Sequence, residues 1–373
     1  MLRFLTAGES HGPCLTAIIE GLPANLEIDI EKINHELARR QVGYGRNQRM
    51  KIESDHVQVL AGLIYGKTSG APLALMIENL DWNNWKEKWE TQSLPALTIP
   101  RPGHADLAGM LKYHVPDARL ILERASARET AMRVAVGAVA RQLLDPFKIS
   151  IGSHVTSIGK IKVDETLYHM GISREELWVN AEKSDVRCPF PEIENLIKKE
   201  IDTTRRNGDT LGGTFEVAAL NVPIGLGSHV HWERRLDAQI AAAIMSIPAI
   251  KGVEIGPAFH NASLMGSEVH DQIFPADDGG VQRKTNRAGG IEGGISNGSP
   301  IFVLAAMKPI PTTNPPQASM DMNDGSPALP IYQRSDVCAV PSAAVIAEAM
   351  LAWVLAQAVM EKYGGDSIEE MTR

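Results

Sequence analysis

Three ionisable side chains stand in loops beside glycine or arginine, where a proton can be exchanged with a bound molecule. His11 lies in Gly8-Glu9-Ser10-His11-Gly12, His104 in Arg101-Pro102-Gly103-His104-Ala105-Asp106, and Asp336 in Tyr332-Gln333-Arg334-Ser335-Asp336. Imidazole titrates close to neutrality, which suits general acid–base work. Singly, each reads first as a structural loop residue; their company is what favours chemistry. Arg39, Arg40, Arg46 and Arg49 crowd the loop Gly43-Tyr44-Gly45, and the stretch from Arg101 to Arg133 adds Arg119, Arg124 and Arg128. A guanidinium keeps its charge at any biological pH and presents a fork of donors matched to phosphate and carboxylate. Such crowding repels itself unless an anion is held there.

The rest of the composition makes those clusters informative. The chain of 373 residues carries a net charge of −8, so it has no bulk attraction for polyanions. With 5% aromatic residues and no stacking or zinc module, a nucleic-acid partner is not expected. Cys14, Cys188 and Cys338 are far apart and form no CxxC pair, which points to a reducing compartment rather than a disulfide framework or zinc site. His229 and His231 alternate without a carboxylate or cysteine at ligand spacing, so no metal is expected. The apolar run at the N-terminus is too short for a signal peptide, and the apolar stretch from Ala343 to Met360 is interrupted by Glu348 and Gln357. That stretch reads as a buried helix, and the expectation is a cytoplasmic protein without a membrane partner. Gly289-Gly290-Ile291-Glu292-Gly293-Gly294 leads into a strand, not a helix, so it is not a dinucleotide fingerprint.

Several elements must position these groups. Leu15 to Glu20, Val57 to Tyr65, Pro72 to Glu78, Thr214 to Val222 and Pro300 to Met307 read as strands. Asp29 can cap a helix that places Ile30, Ile33 and Leu37 on one face. Ser126 and Glu129 form a capping-box pattern before an apolar helix through Leu143, ended by Asp145-Pro146. A helix start flanked by Arg124 and Arg128 can hold an anion. Pro191 opens a helix with Ile193, Leu196, Ile197 and Ile201 on one side. A further helix carries Leu236, Ile240 and Ile244 and ends at Pro248, and Pro341 opens the last one, closed by Gly364-Gly365. Lys308-Pro309-Ile310-Pro311-Thr312 is a stiff corner with one cation. Asn314 to Pro330 reads as a loop, and Asp81 to Trp89, with three tryptophans, as a surface loop or subunit contact. Without regular βαβ alternation, the order of elements favours a mixed α+β layer fold.

GESHG, RPGHAD, ERASARETAMRVAVGA, GLGSHV, GGIEGGISNG, KPIPT and YQRSDVCAVP follow one another over essentially the whole chain. In this series the sequence resembles the chorismate synthase family. The resemblance implies a single domain over 1–373: a β-α-β sandwich, helices packed between or against antiparallel-rich sheets, assembled as a homotetramer. It implies a lyase of the shikimate pathway that uses reduced FMN to eliminate phosphate from 5-enolpyruvylshikimate 3-phosphate, the flavin being reduced either by an outside reductant or by an intrinsic activity drawing on NADPH. Carried over by position, the catalytic residues are His11 beside the departing phosphate, His104 at the reduced flavin and Asp336 in removal of the C6 hydrogen. Flavin contacts fall on Arg124, Ala125, Ser126, Pro248, Ala249, Gly293, Lys308, Pro309, Ile310, Pro311, Thr312 and Arg334. Arg40 and Arg46 match positions the family gives to nicotinamide nucleotide, although their chemistry, like that of Arg49 and Arg128, suits the phosphorylated substrate. Two departures stand out: Ala125-Ser126 where the family often has two serines, and Pro248 where it often has an amide. The competing reading is a flavin-dependent oxidoreductase acting on a small anionic substrate.

Overall fold

The computed structural model describes residues 1–46, 53–168, 171–276, 280–332 and 335–373. One sheet is built from β1 (Arg3–Gly8), β2 (Cys14–Glu20), β3 (Val57–Ala61) and β4 (Leu73–Glu78), in the order β1-β2-β4-β3 with every neighbour antiparallel. Period-two alternation buries Leu15, Ala17 and Ile19 of β2 opposite Ile77, Leu75 and Leu73 of β4. The second sheet contains β5 (Ser150–Ile158), β6 (Ile161–Lys162), β7 (Gly213–Leu220), β8 (Ile250–Ile255) and β9 (Ile301–Met307). Its order is β8-β9-β7-β5-β6, again antiparallel throughout. Phe215, Val217 and Ala219 face Ala305, Val303 and Ile301 across the ladder, all buried.

Among the described residues, the α-helices of five residues or more are α1 (Ile30–Gln41), α2 (Lys86–Glu90), α3 (Asp106–Tyr113), α4 (Arg119–Ala125), α5 (Thr130–Leu144), α6 (Arg174–Glu182), α7 (Pro191–Arg206), α8 (Leu236–Met245) and α9 (Val340–Tyr363). Helices α5 and α9 fill the space between the sheets, flanked by α1 and α8. The result is the α+β sandwich, helices between antiparallel sheets, that the sequence leads one to expect. Close approach of α5 and α9 depends on Gly137, where an added Cβ would lie 2.3 Å from the Cβ of Ala349. Helix α9 is long and apolar enough to cross a membrane by length and composition, but 89% of its apolar window is buried within the protein. Glu348, the charge that interrupts it, is fully buried and accepts from Arg39 (2.8 and 3.0 Å), Arg187 (3.1 Å), Arg141 and Ser153. Burial alone would raise this carboxyl; the three guanidiniums hold it well below the usual carboxylate range.

Several local expectations are corrected. The tryptophan segment is a 3₁₀ turn (Leu80–Asn84) running into α2, not a loop. The stretch from Asn314 to Pro330 contains a short hairpin pairing Ser319–Met320 with Pro327–Ala328. Ser126 caps a 3₁₀ turn by accepting from the Arg128 N–H, and the Glu129 side chain turns to Arg133 at 3.2 Å, so the capping box gives way to an ion pair. Leu196 of α7 is exposed, while Ile197 and Ile201 are buried.

Candidate active site

His11 sits in the turn between β1 and β2. That turn is tight because Gly8 adopts φ +114°, where a Cβ would lie 2.4 Å from the Cys14 carbonyl oxygen. The turn is pinned to the end of α4. Ser10 N–H donates to the Glu123 carbonyl at 3.0 Å. The Glu123 carboxylate takes the His11 backbone N–H at 2.7 Å and stands 2.9 Å from His11 Nδ1. Glu123 itself is buried. The Trp85 ring lies on the imidazole with centroids 4.2 Å apart and planes tilted by 38°; its indole N–H donates to Asp81 at 3.2 Å.

From this turn a chain of ionic contacts runs inward. Asn79 donates to the carbonyls of Glu9 (3.1 Å) and Gly12 (2.8 Å) and accepts from Arg128 Nε at 2.9 Å. Asp55 then clamps two guanidiniums, Arg128 at 2.5 Å and Arg40 at 2.7 Å. Burial opposes its charge, but Arg40 and Arg128 carry the Asp55 carboxyl below the ordinary range. Arg46 donates to the Arg40 carbonyl at 2.9 Å and to Ser342 at the start of α9, with its Nε 3.5 Å from Asp336. Val337 N–H to the Gly45 carbonyl, 3.1 Å, ties the two loops together. Burial lowers both Arg40 and Arg46 from the usual guanidinium value. Arg40 Nε is buried without a hydrogen-bond partner among the described residues.

His104 belongs to a more local arrangement. Asp106, the first residue of α3, holds His104 Nδ1 at 2.5 Å and accepts from Arg101 Nε at 2.8 Å and Arg101 N–H at 3.1 Å. The Asp106 carboxyl resists its burial: hydrogen bonds from His104 and Arg101 bring it far below the usual range. The corner at 308–312 leans on this loop. Lys308 Nζ donates to the Gly103 carbonyl, its N–H donates to the Ala249 carbonyl at 2.9 Å, and the Ile310 carbonyl accepts from Thr210 at 2.7 Å. Gly103, at φ +77°, would carry a Cβ 3.1 Å from Pro311.

The remaining positions scatter around these two groups. Arg124 binds β1 through the Thr6 carbonyl (2.9 Å) and hydroxyl (2.7 Å). Ser126 Oγ donates to Ser10 Oγ at 3.1 Å, which places Ala125-Ser126 beside the His11 turn. Ala249, at φ +69°, and Pro248 form the turn after α8. Gly293 has open space where its Cβ would be, and the next carbonyl, Gly294, accepts from Leu236, the first residue of α8. Gly293 therefore lies by the start of α8, whereas Ala249 follows its end. Arg49 and Arg334 lie outside the described residues. So His11, Arg40, Arg46, Arg128, Ser126 and Asp336 share one run of contacts, and His104, Lys308, Pro311 and Ala249 share another. Helices α3 and α4 pack together and link the two. Sequence reasoning missed Glu123, Trp85, Asp55 and Asn79, which come from separate elements with no shared spacing to betray them.

The comparisons with known proteins agree with one another. The family described as chorismate synthase matches residues 2–360. The chorismate synthase of Aquifex aeolicus (strain VF5) is 54% identical over 381 residues, covering 100% of this chain and 96% of that protein. That of Brevibacillus brevis (strain 47 / JCM 6285 / NBRC 100599) is 52% identical over 377 residues, covering 99% and 96%. A solved crystal structure of a chorismate synthase superposes with a TM-score of 0.81 at 48% identity, covering 100% of this chain and 95% of the other.

Proposed function

The chain belongs to the chorismate synthase family, and from that premise we infer its reaction: it is a carbon–oxygen lyase that converts 5-enolpyruvylshikimate 3-phosphate to chorismate and phosphate in aromatic biosynthesis. The observation that carries the reading to particular residues is the buried ionic run from His11 to Asp336, which concentrates arginine in a chain whose net charge is −8. Its substrate is a small molecule bearing a phosphate and two carboxylates.

The family implies a flavin, and the donor set present suits FMN. Among the described residues, Arg124 and Lys308 donate to carbonyl and hydroxyl oxygens rather than to carboxylates, so neither cation is already paired with an anion there and a phosphate can use both. The hydroxyls of Ser126 and Thr312 are donors of the kind a flavin phosphate accepts. When bound, reduced FMN would supply electron density to the reacting carbons without net oxidation. The protein's own side chains do the rest. His11 gives a proton to the departing phosphate oxygen. Arg46, with Arg49, meets the substrate phosphate; its 3.5 Å contact with Asp336 is the one an anion can replace. Arg40 and Arg128, clamped by Asp55, form the floor beneath. Asp336 carries away the proton lost from C6, and His104 offsets negative charge on the flavin ring. A cytoplasmic homotetramer goes with this reading.

An anaerobic assay with photoreduced FMN tests it. Chorismate and phosphate should appear in equal amounts with no loss of reduced flavin. Stoichiometric consumption of reduced flavin or nucleotide with substrate would make the protein an oxidoreductase instead.

A further inference from the structure

His11 carries two hydrogen-bonding groups toward α4, its backbone N–H and its Nδ1, and one buried side chain answers both. Oε2 of Glu123 accepts the backbone N–H at 2.7 Å, and Oε1 stands 2.9 Å from Nδ1. A carboxylate is acceptor-only, so Nδ1 must carry the proton in this pair. The Trp85 ring fixes the plane of the imidazole, and the carboxylate fixes which edge faces inward. We propose that Glu123 is a positioning residue for the elimination: it holds His11 in the tautomer whose Nε2 faces the ligand and accompanies its charged form. This rests on the assignment of His11 as the proton donor. In the step itself the Nε2–H bond of the imidazolium breaks and an O–H bond forms on the leaving phosphate. The nitrogen keeps the electron pair, and Nδ1–H stays on Glu123 throughout.

Glu123→Gln makes the idea testable, because its shape is kept and its polarity is not. A backbone N–H can only donate, so the new amide must turn its oxygen to the His11 N–H and its NH₂ to Nδ1. Nδ1 then has to accept, the neutral proton moves to Nε2, and the doubly protonated ring loses its partner. The full chain labelled with ring-15N histidine, with His11 assigned through His11→Asn, should show a protonated Nδ1 in the native protein and an unprotonated Nδ1 in Glu123→Gln. Turnover should fall on the order of 100- to 1,000-fold with KM little changed, the size expected when a catalytic imidazole is held in the wrong tautomer or loses its proton-transfer role. His11→Ala should abolish the sensitivity, the double variant being no slower than the single. Glu123→Asp, which restores a carboxylate, should recover both the native tautomer and part of the rate. A native tautomer in Glu123→Gln, or an Asp variant no faster than the Gln variant, overturns the proposal. Undiminished turnover in His11→Ala would instead sink the assignment of His11 as proton donor, whatever the tautomer proves to be.

Discussion

His11 and His104 are the same side chain in the same posture, Nδ1 against a buried carboxylate, yet they are built in opposite ways. The partner of His104 is two residues along the chain and is shared with Arg101, so the histidine joins a compact cluster of one anion and a permanent cation. The partner of His11 comes from 112 residues away, serves the histidine's own backbone as well, and is accompanied by an indole rather than a guanidinium. A guanidinium within the cluster fixes the charge of the site. An imidazole between a carboxylate and an aromatic face has its orientation fixed instead, which suits a group that must release and recover a proton. The first arrangement suits a static electrostatic task and the second a proton transfer.

The largest effects should come from removing the rings themselves. His11→Ala and His104→Ala should each reduce turnover on the order of 100- to 10,000-fold, with FMN affinity in a fluorescence titration largely intact. If either variant keeps most of its activity, its half of the comparison fails. The carboxylates should differ more than the rings. Asp106 has a depressed folded value, so the stability it contributes is complete above the unfolded carboxylate value, about 3.9, and is lost as pH falls through the folded one. Asp106→Asn should therefore cost about 3 kcal/mol in urea unfolding at pH 7, as expected for breaking a buried pair. The gap to the native protein should narrow below about pH 4. A gap that widened in acid would mean that Asp106 is not the anchored anion of the pair.

The same contrast explains what could be read from the sequence. Arg101, His104 and Asp106 occur within six consecutive residues, so their cluster is local and the motif displays it. The caps and periods were legible for the same reason: Asp29 at α1, Leu73, Leu75 and Ile77 in β4, and Pro341 and Gly364 bounding α9. Strand β5 was not legible, because α6 covers its outer face, with Trp178 packed on Gly152, and burial on both sides erases the alternation. Helices α3 and α4 were hidden by their brevity and by His114 in a left-handed conformation between them. Glu348 was visible as an interruption, but its three arginines come from α1, α5 and the turn before α7. Glu123 and Trp85 were invisible on the same grounds: only the fold makes them neighbours of His11.

If the two runs of contacts serve different ligands, their cations should separate in binding. Arg46→Ala should weaken substrate binding roughly 10- to 100-fold, the worth of a charge-assisted hydrogen bond, while leaving FMN affinity and the fold in place. Lys308→Ala should do the reverse. Parallel isothermal titrations of substrate and FMN against both variants would show it. Equal losses of both ligands in both variants would mean one undivided anion site.

The smallest effect concerns the aromatic face. Trp85→Phe keeps a ring against His11 and removes only the indole N–H bond to Asp81, one neutral donor at 3.2 Å to a carboxylate near the surface. Turnover should fall by no more than about tenfold, in line with roughly 1.5 kcal/mol, the low end for a hydrogen bond to a charged group. Trp85→Ala opens the imidazole to rotation and solvent, and should cost distinctly more turnover than Phe at similar stability. The difference between these two variants, measured as the single-turnover rate constant, isolates what stacking adds to the hold of Glu123. Were Phe and Ala to behave alike, the plane of His11 would be set by the carboxylate alone, and the tryptophan would belong to packing rather than to the comparison.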